Sequence, residues 1–111
     1  MAGFRVGLGE ADFTPPLGLP ILGNVRVDYA ARGVHLPLMA KAMVIQGPDG
    51  AKLLLMALDL CILTAEQVAL LRSAIAARTT IPPERMLIAA THTHSGPSTV
   101  AVYNMPKADD A

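Results

Sequence analysis

The strongest constraint on the fold is a helix-start signal set between two apolar runs. Thr64-Ala65-Glu66-Gln67 has the capping-box pattern, in which the threonine hydroxyl accepts from the amide three residues on and the glutamine reaches back. Val68, Leu71 and Ile75 follow at three- and four-residue steps, with Glu66, Arg72 and Arg78 on a wetter side, which predicts an amphipathic helix over Ala65 to Arg78. Thr79-Thr80-Ile81-Pro82-Pro83 ends it. The flanking runs, Lys52 to Leu58 and Arg85 to Thr91, have the length of strands. The second is almost continuously apolar, which predicts burial on both faces, and the crossover is long enough for parallel pairing.

Upstream, Leu38 to Gln46 reads as a strand, Gly47-Pro48-Asp49-Gly50 as a hairpin turn and Lys52 to Leu58 as its antiparallel partner. Phe4 to Phe13 reads as a further short strand, bulged around Gly7 and Gly9 and stopped by Pro15-Pro16. Pro15 to Pro37 has many breakers and little periodicity, so it is expected to be a long ordered loop, and loops of that length are usually functional. Ser98 to Ala111 weakens into a frayed tail. The expected fold is α/β: a mixed sheet with a β-hairpin followed by a strand-helix-strand unit, residues 1–111 forming one portion of a larger domain.

Composition narrows the partners. With 52% hydrophobic and 16% charged residues the chain expects to bury a core, and its nine basic and nine acidic residues leave no electrostatic footprint for nucleic acid. No apolar run approaches the ~20 residues of a transmembrane segment. The first residues lack the basic and apolar regions of a secretory signal, so the default compartment is cytoplasmic. Cys61 is the single cysteine, which excludes an intramolecular disulfide, and it reads as a small buried apolar residue. The surplus of aliphatic residues predicts uncovered apolar surface through which the chain self-associates.

The chemistry concentrates in Thr91-His92-Thr93-His94-Ser95-Gly96-Pro97, directly after the apolar run Met86 to Ala90. Residues two apart on a strand share a face, so both imidazoles would emerge together at a strand's carboxyl end, where ligand sites of open α/β sheets lie. Neutral imidazole is a common zinc ligand, but zinc takes three or four protein ligands, and two histidines also serve in surface turns as backbone hydrogen-bonding groups. Asp59, at the end of the preceding strand, could be a third ligand, could orient an imidazole, or could cap the turn before Thr64. Gly7-x-Gly9 lacks the third glycine of a dinucleotide loop, and Ser95 lacks the Gly-x-Ser-x-Gly elbow of a nucleophilic serine.

Taken in order, Gly7-Leu8-Gly9-Glu10-Ala11-Asp12-Phe13-Thr14, Gly23, Gly33-Val34-His35, Leu58-Asp59-Leu60 and His92-Thr93-His94-Ser95-Gly96-Pro97 resemble the N-terminal part of the neutral/alkaline, non-lysosomal ceramidase family. The resemblance runs from Phe4 to Pro97. It implies a zinc-dependent amidohydrolase that cleaves the N-acyl bond of ceramide to sphingosine and a fatty acid. It further implies that His92 is a zinc ligand, that His94 is a catalytic residue hydrogen-bonding the substrate or oxyanion, and that Gly23 lines the substrate pocket. His35 matches a family histidine too, but packing in its loop explains it better. The family's second zinc-binding histidine, its glutamate and tyrosine ligands, and its substrate-binding arginine and serine have no counterpart here, and Ser98-Thr99-Val100 replaces a glycine-rich continuation. The chain is therefore expected to be a fragment, inactive alone. Hydrolysis of another amide or ester, or a non-catalytic interaction module, are the alternatives.

Overall fold

The computed structural model describes residues 3–23 and 30–101. A four-stranded sheet is built from β1 (Arg5–Asp12), β3 (Met39–Gln46), β4 (Lys52–Leu58) and β5 (Met86–Ala90), in that spatial order. β2 (Ile21–Leu22) and β6 (Gly96–Pro97) form a second, two-stranded antiparallel sheet, and α1 (Ala65–Ala76) connects β4 to β5. The pairs β1–β3 and β3–β4 are antiparallel, whereas β4–β5 is parallel. The mixed α/β sheet with its hairpin and strand-helix-strand unit is thus the one expected from the pattern.

Local chemistry explains the turns. Between β3 and β4 the Gly47 amide donates to Ala51 at 2.9 Å, the Asp49 carboxylate accepts from the Ala51 amide, and Gly50 adopts φ +83°. At the start of α1 both halves of the capping box form: Thr64 Oγ1 accepts from the Gln67 amide at 3.1 Å and Gln67 Oε1 accepts from the Thr64 amide at 3.0 Å. The helix stops at Ala76, two residues before Arg78. There the Thr79 hydroxyl donates to the Ile75 carbonyl at 2.9 Å and accepts from the Ile81 amide, turning the chain so that Ile81 is buried. A single 3-10 turn, Pro83–Arg85, which the sequence pattern did not signal, then leads into β5.

The core lies between α1 and one face of the sheet. Leu54, Ile81 and Met86 are buried, and Ile75, Ala76, Val44 and Met56 pack against them. Alternation along the strands sends the intervening residues to the opposite face, which nothing among the described residues covers like a helix. The expectation that β5 is buried on both faces is therefore corrected: Met86 and Ile88 are buried, but Leu87 is 59% exposed. The register aligns Leu8, Met43, Leu55 and Leu87 across all four strands of that open face, beside Val6, Ile45 and Leu53. β1 is exposed at all eight positions, and its register with β3 runs unbroken from Arg5↔Gln46 to Asp12↔Met39, so the expected bulge is absent.

The long segment after β1 is pinned at both ends. Asp12 Oδ1 accepts from the Thr14 amide and hydroxyl at 2.8 and 2.6 Å, Thr14 Oγ1 accepts from the Leu38 amide, and the Phe13 amide donates to the Leu38 carbonyl. Within it β2 folds back on β6, with Leu22 opposite Gly96. The tail is also firmer at its start than expected. Ser98 is fully buried, its amide donates to Pro20 and its hydroxyl to Val100, and the Thr99 hydroxyl reaches the Ile62 carbonyl at 2.7 Å. The remainder of the expected tail, 102–111, lies outside the described residues. No described helix is long and apolar enough to cross a membrane.

Candidate metal centre

The site forms where the parallel strands β4 and β5 end. Their register, Leu58↔Ala90, continues past the strands: the Thr91 amide donates to Leu58 and the His92 amide to Leu60, at 2.9 and 3.0 Å. This places the segment after β4 directly beside the histidines. Asp59 clamps the same corner, with Oδ2 accepting from the Met39 amide at 2.9 Å and Oδ1 from the Thr91 hydroxyl at 3.0 Å. Its carboxylate thus ties the start of β3 to the end of β5, and it neither joins the metal-binding group nor caps the turn before Thr64.

The histidine pair converges by a different route from simple strand alternation. β5 ends at Ala90, and His92 has φ +63°, a left-handed conformation that costs a non-glycine residue roughly 1–2 kcal/mol. Even so, the Nε2 atoms of His92 and His94 lie 3.3 Å apart, with the rings edge to face at a centroid distance of 4.9 Å. His92 Nδ1 stands 2.8 Å from the Cys61 carbonyl. A carbonyl only accepts, so Nδ1 carries the proton and Nε2 presents a bare lone pair, the tautomer in which histidine binds metal.

Two imidazole nitrogens 3.3 Å apart fit one zinc ion: Zn–N bonds of ~2.0–2.1 Å at a tetrahedral angle put the nitrogens roughly 3.3–3.4 Å from each other. Cys61, not anticipated at this corner, is the third residue beside the pair. Its Sγ lies 3.5 Å from His92 Nδ1, and one ligand atom each from Cys61, His92 and His94 fall within 4.8 Å of one another. Cys61 is buried as expected, and burial pushes its thiol pKa up. The signal that could have found it is the parallel pairing itself, which sets the third residue after Leu58 next to the second after Ala90.

Gly23 meets this site through the small sheet. Because Leu22 pairs with Gly96, Gly23 passes directly over His94, with φ +121°, and a Cβ there would approach His94 Cγ to 2.5 Å. Only glycine allows the two segments so close. His35, by contrast, is exposed and lines a cavity of about 870 Å³ with Pro16, Leu19 and Leu36. Thr93 and Ser95 reach that cavity but neither His92 nor His94 does, so the segment presents hydroxyls to one side and imidazoles to the other.

An α/β unit with a histidine pair at the carboxyl ends of its parallel strands defines the class. The family follows from comparison: residues 4–110 match the family described as neutral/alkaline non-lysosomal ceramidase, N-terminal, and the chain belongs to it. It is 33% identical over 109 residues to the neutral ceramidase of Pseudomonas aeruginosa, covering 92% of this chain and 16% of that one. It is 28% identical over 105 residues to neutral ceramidase 2 of Arabidopsis thaliana, covering 90% and 14% respectively. The chain therefore spans about one seventh of the length of these relatives.

Proposed function

We propose that this chain supplies the metal-side corner of a ceramidase-type amidohydrolase site, with His92 Nε2 as a zinc ligand and His94 as the substrate-side assistant. One observation carries the reading: the 2.8 Å bond from His92 Nδ1 to the Cys61 carbonyl, which fixes the metal-binding tautomer and aims Nε2 at His94. Zinc held there would polarise an amide carbonyl and lower the pKa of its water toward ~7. His94 then hydrogen-bonds the oxygen on which charge develops, and removal of such a donor costs ~10²–10³ in turnover. Gly23, lying against His94 without a side chain, leaves room for the acyl amide to approach. The substrate is an N-acylsphingosine, as the names of the relatives suggest.

The chain alone is expected to be inactive, since a tetrahedral hydrolytic site needs further groups that these residues do not supply. The test is a chimera in which residues 4–97 replace the matched segment of the Pseudomonas aeruginosa enzyme, assayed for fatty acid released from an N-acylsphingosine and from a short N-acyl amide. Turnover of the sphingolipid is expected, lost together with bound zinc on His92→Ala and reduced ~10²–10³-fold with zinc retained on His94→Ala. Zinc and turnover both unchanged in the His92→Ala chimera would refute the assignment. Activity confined to the short amide would refute the substrate.

A further inference from the structure

We infer that Asp59 is the positioning residue of this corner: acting through Thr91, it holds His92 in the left-handed conformation that sets Nε2 against His94. The inference rests on the reading of His92 above and goes beyond it by naming what keeps that geometry in place. Leu58 to Cys61 form a template for the two residues that follow β5. The Thr91 amide donates to the Leu58 carbonyl and its hydroxyl to Asp59 Oδ1, while the His92 amide donates to the Leu60 carbonyl and its Nδ1 to the Cys61 carbonyl. The other acceptors are main-chain carbonyls, which any residues at 58, 60 and 61 would supply. Among these acceptors Asp59 alone contributes a side chain, so it is where the sequence specifies the template.

A carboxylate suits the place because it only accepts, and its two oxygens can serve donors on different strands. Oδ2 takes the Met39 amide at 2.9 Å while the Asp59 amide returns a bond to the Met39 carbonyl at 3.1 Å, so the side chain is anchored to β3 before it reaches Thr91. With the Thr91 amide and hydroxyl both held, the peptide plane entering His92 is fixed. The exit is crowded too: a Cβ on Gly96 would lie 3.2 Å from the Asp59 carbonyl. One residue therefore brackets the histidine segment from Thr91 to Gly96. A non-glycine residue at φ +63° persists only where its surroundings over-determine it, and these contacts do so at His92.

Thr91→Val removes the hydroxyl and keeps the shape, and Asp59→Ala removes both bonds of the carboxylate. Asp59→Asn is the rescuing variant, since an asparagine still accepts from the Met39 amide through Oδ1 and donates through Nδ2 to the Thr91 hydroxyl. Thr99→Val loses a hydroxyl bond to Ile62 that lies off the template, and serves as the structural control. Nitrogen NMR of the intact chain reads the tautomer of the neutral His92 ring. The proton is expected on Nδ1 in the unaltered chain, in Asp59→Asn and in Thr99→Val, and shared between the two nitrogens in Thr91→Val and Asp59→Ala. In the Pseudomonas aeruginosa chimera the last two should lose about 10–100-fold in kcat with KM within about twofold, and Asp59→Asn should recover most of that loss. Circular dichroism checks the folding of each variant, and Thr91→Val carries the test where Asp59→Ala does not fold. A tautomer or a kcat unchanged in both Thr91→Val and Asp59→Ala would overturn the inference, as would equal disturbance by Thr99→Val. Zinc and turnover unchanged in the His92→Ala chimera would instead overturn the functional reading, with the tautomer in the intact chain still deciding the role of Asp59.

Discussion

The strand-helix-strand half of the molecule and the β1 side of the same sheet both carry large apolar side chains, yet these end up in opposite environments. In the first, α1 lies over β4 and β5, and Leu54 and Met86 are each 3% exposed. In the second, no element among the described residues covers β1, and Leu8 is 81% exposed. The difference shows that apolar content decides which residues can be buried, while the covering element decides which are. It also locates the site: Cys61, His92 and His94 hang from the end of the packed half, where neighbouring strands fix the backbone.

The largest effect should come from removing packing where it exists. Leu54→Ala is expected to cost ~2–5 kcal/mol in urea unfolding, because a buried side chain leaves a cavity, and Leu8→Ala no more than ~0.5 kcal/mol. Comparable losses at the two positions would break the contrast. Next comes Gly23→Ala, whose methyl meets both a positive φ and the His94 ring; ~1–3 kcal/mol in urea unfolding and a shifted His94 imidazole resonance in NMR are expected. Gly50→Ala has φ +83° but meets only the Gln46 side-chain amide at 4.0 Å, so it should cost only ~1–2 kcal/mol and leave the His94 resonance unmoved. Thr64→Ala removes one half of the capping box and should cost ~1 kcal/mol, read by thermal unfolding.

The smallest effect belongs to the open side. Hydrogen bonds from the Thr14 hydroxyl and amide hold the Asp12 carboxyl below its ordinary pKa. A depressed folded-state value favours folding above the unfolded pKa, and that contribution is lost as pH falls through the folded one. Thr14→Val should therefore move the Asp12 titration upward in carbon-detected NMR and flatten the acid limb of stability slightly. An unmoved titration would show that the hydroxyl does not govern it.

What could be read from the sequence was local chemistry. The capping box at Thr64 and Gln67, the turn at Gly47 to Gly50 and the strand-helix-strand order depend on neighbours in the chain, and each formed. The exposure of Leu87 was not legible, because periodicity cannot say whether a second layer covers a face. The share of Cys61 in the site was hidden for another reason: it depends on the register between two strands separated by a helix. The pairing of His92 with His94 was foreseen, but its cause was not, since a left-handed backbone at His92, rather than strand alternation, brings the rings together.

Zinc analysis of the chimera that carries residues 4–97 in the Pseudomonas aeruginosa enzyme tests most directly whether this corner is part of a metal centre. One bound ion per chimera, lost in His92→Ala while the variant keeps its circular dichroism spectrum, is the predicted result. Absence of zinc from the unaltered chimera, or zinc that His92→Ala leaves in place, would contradict the account.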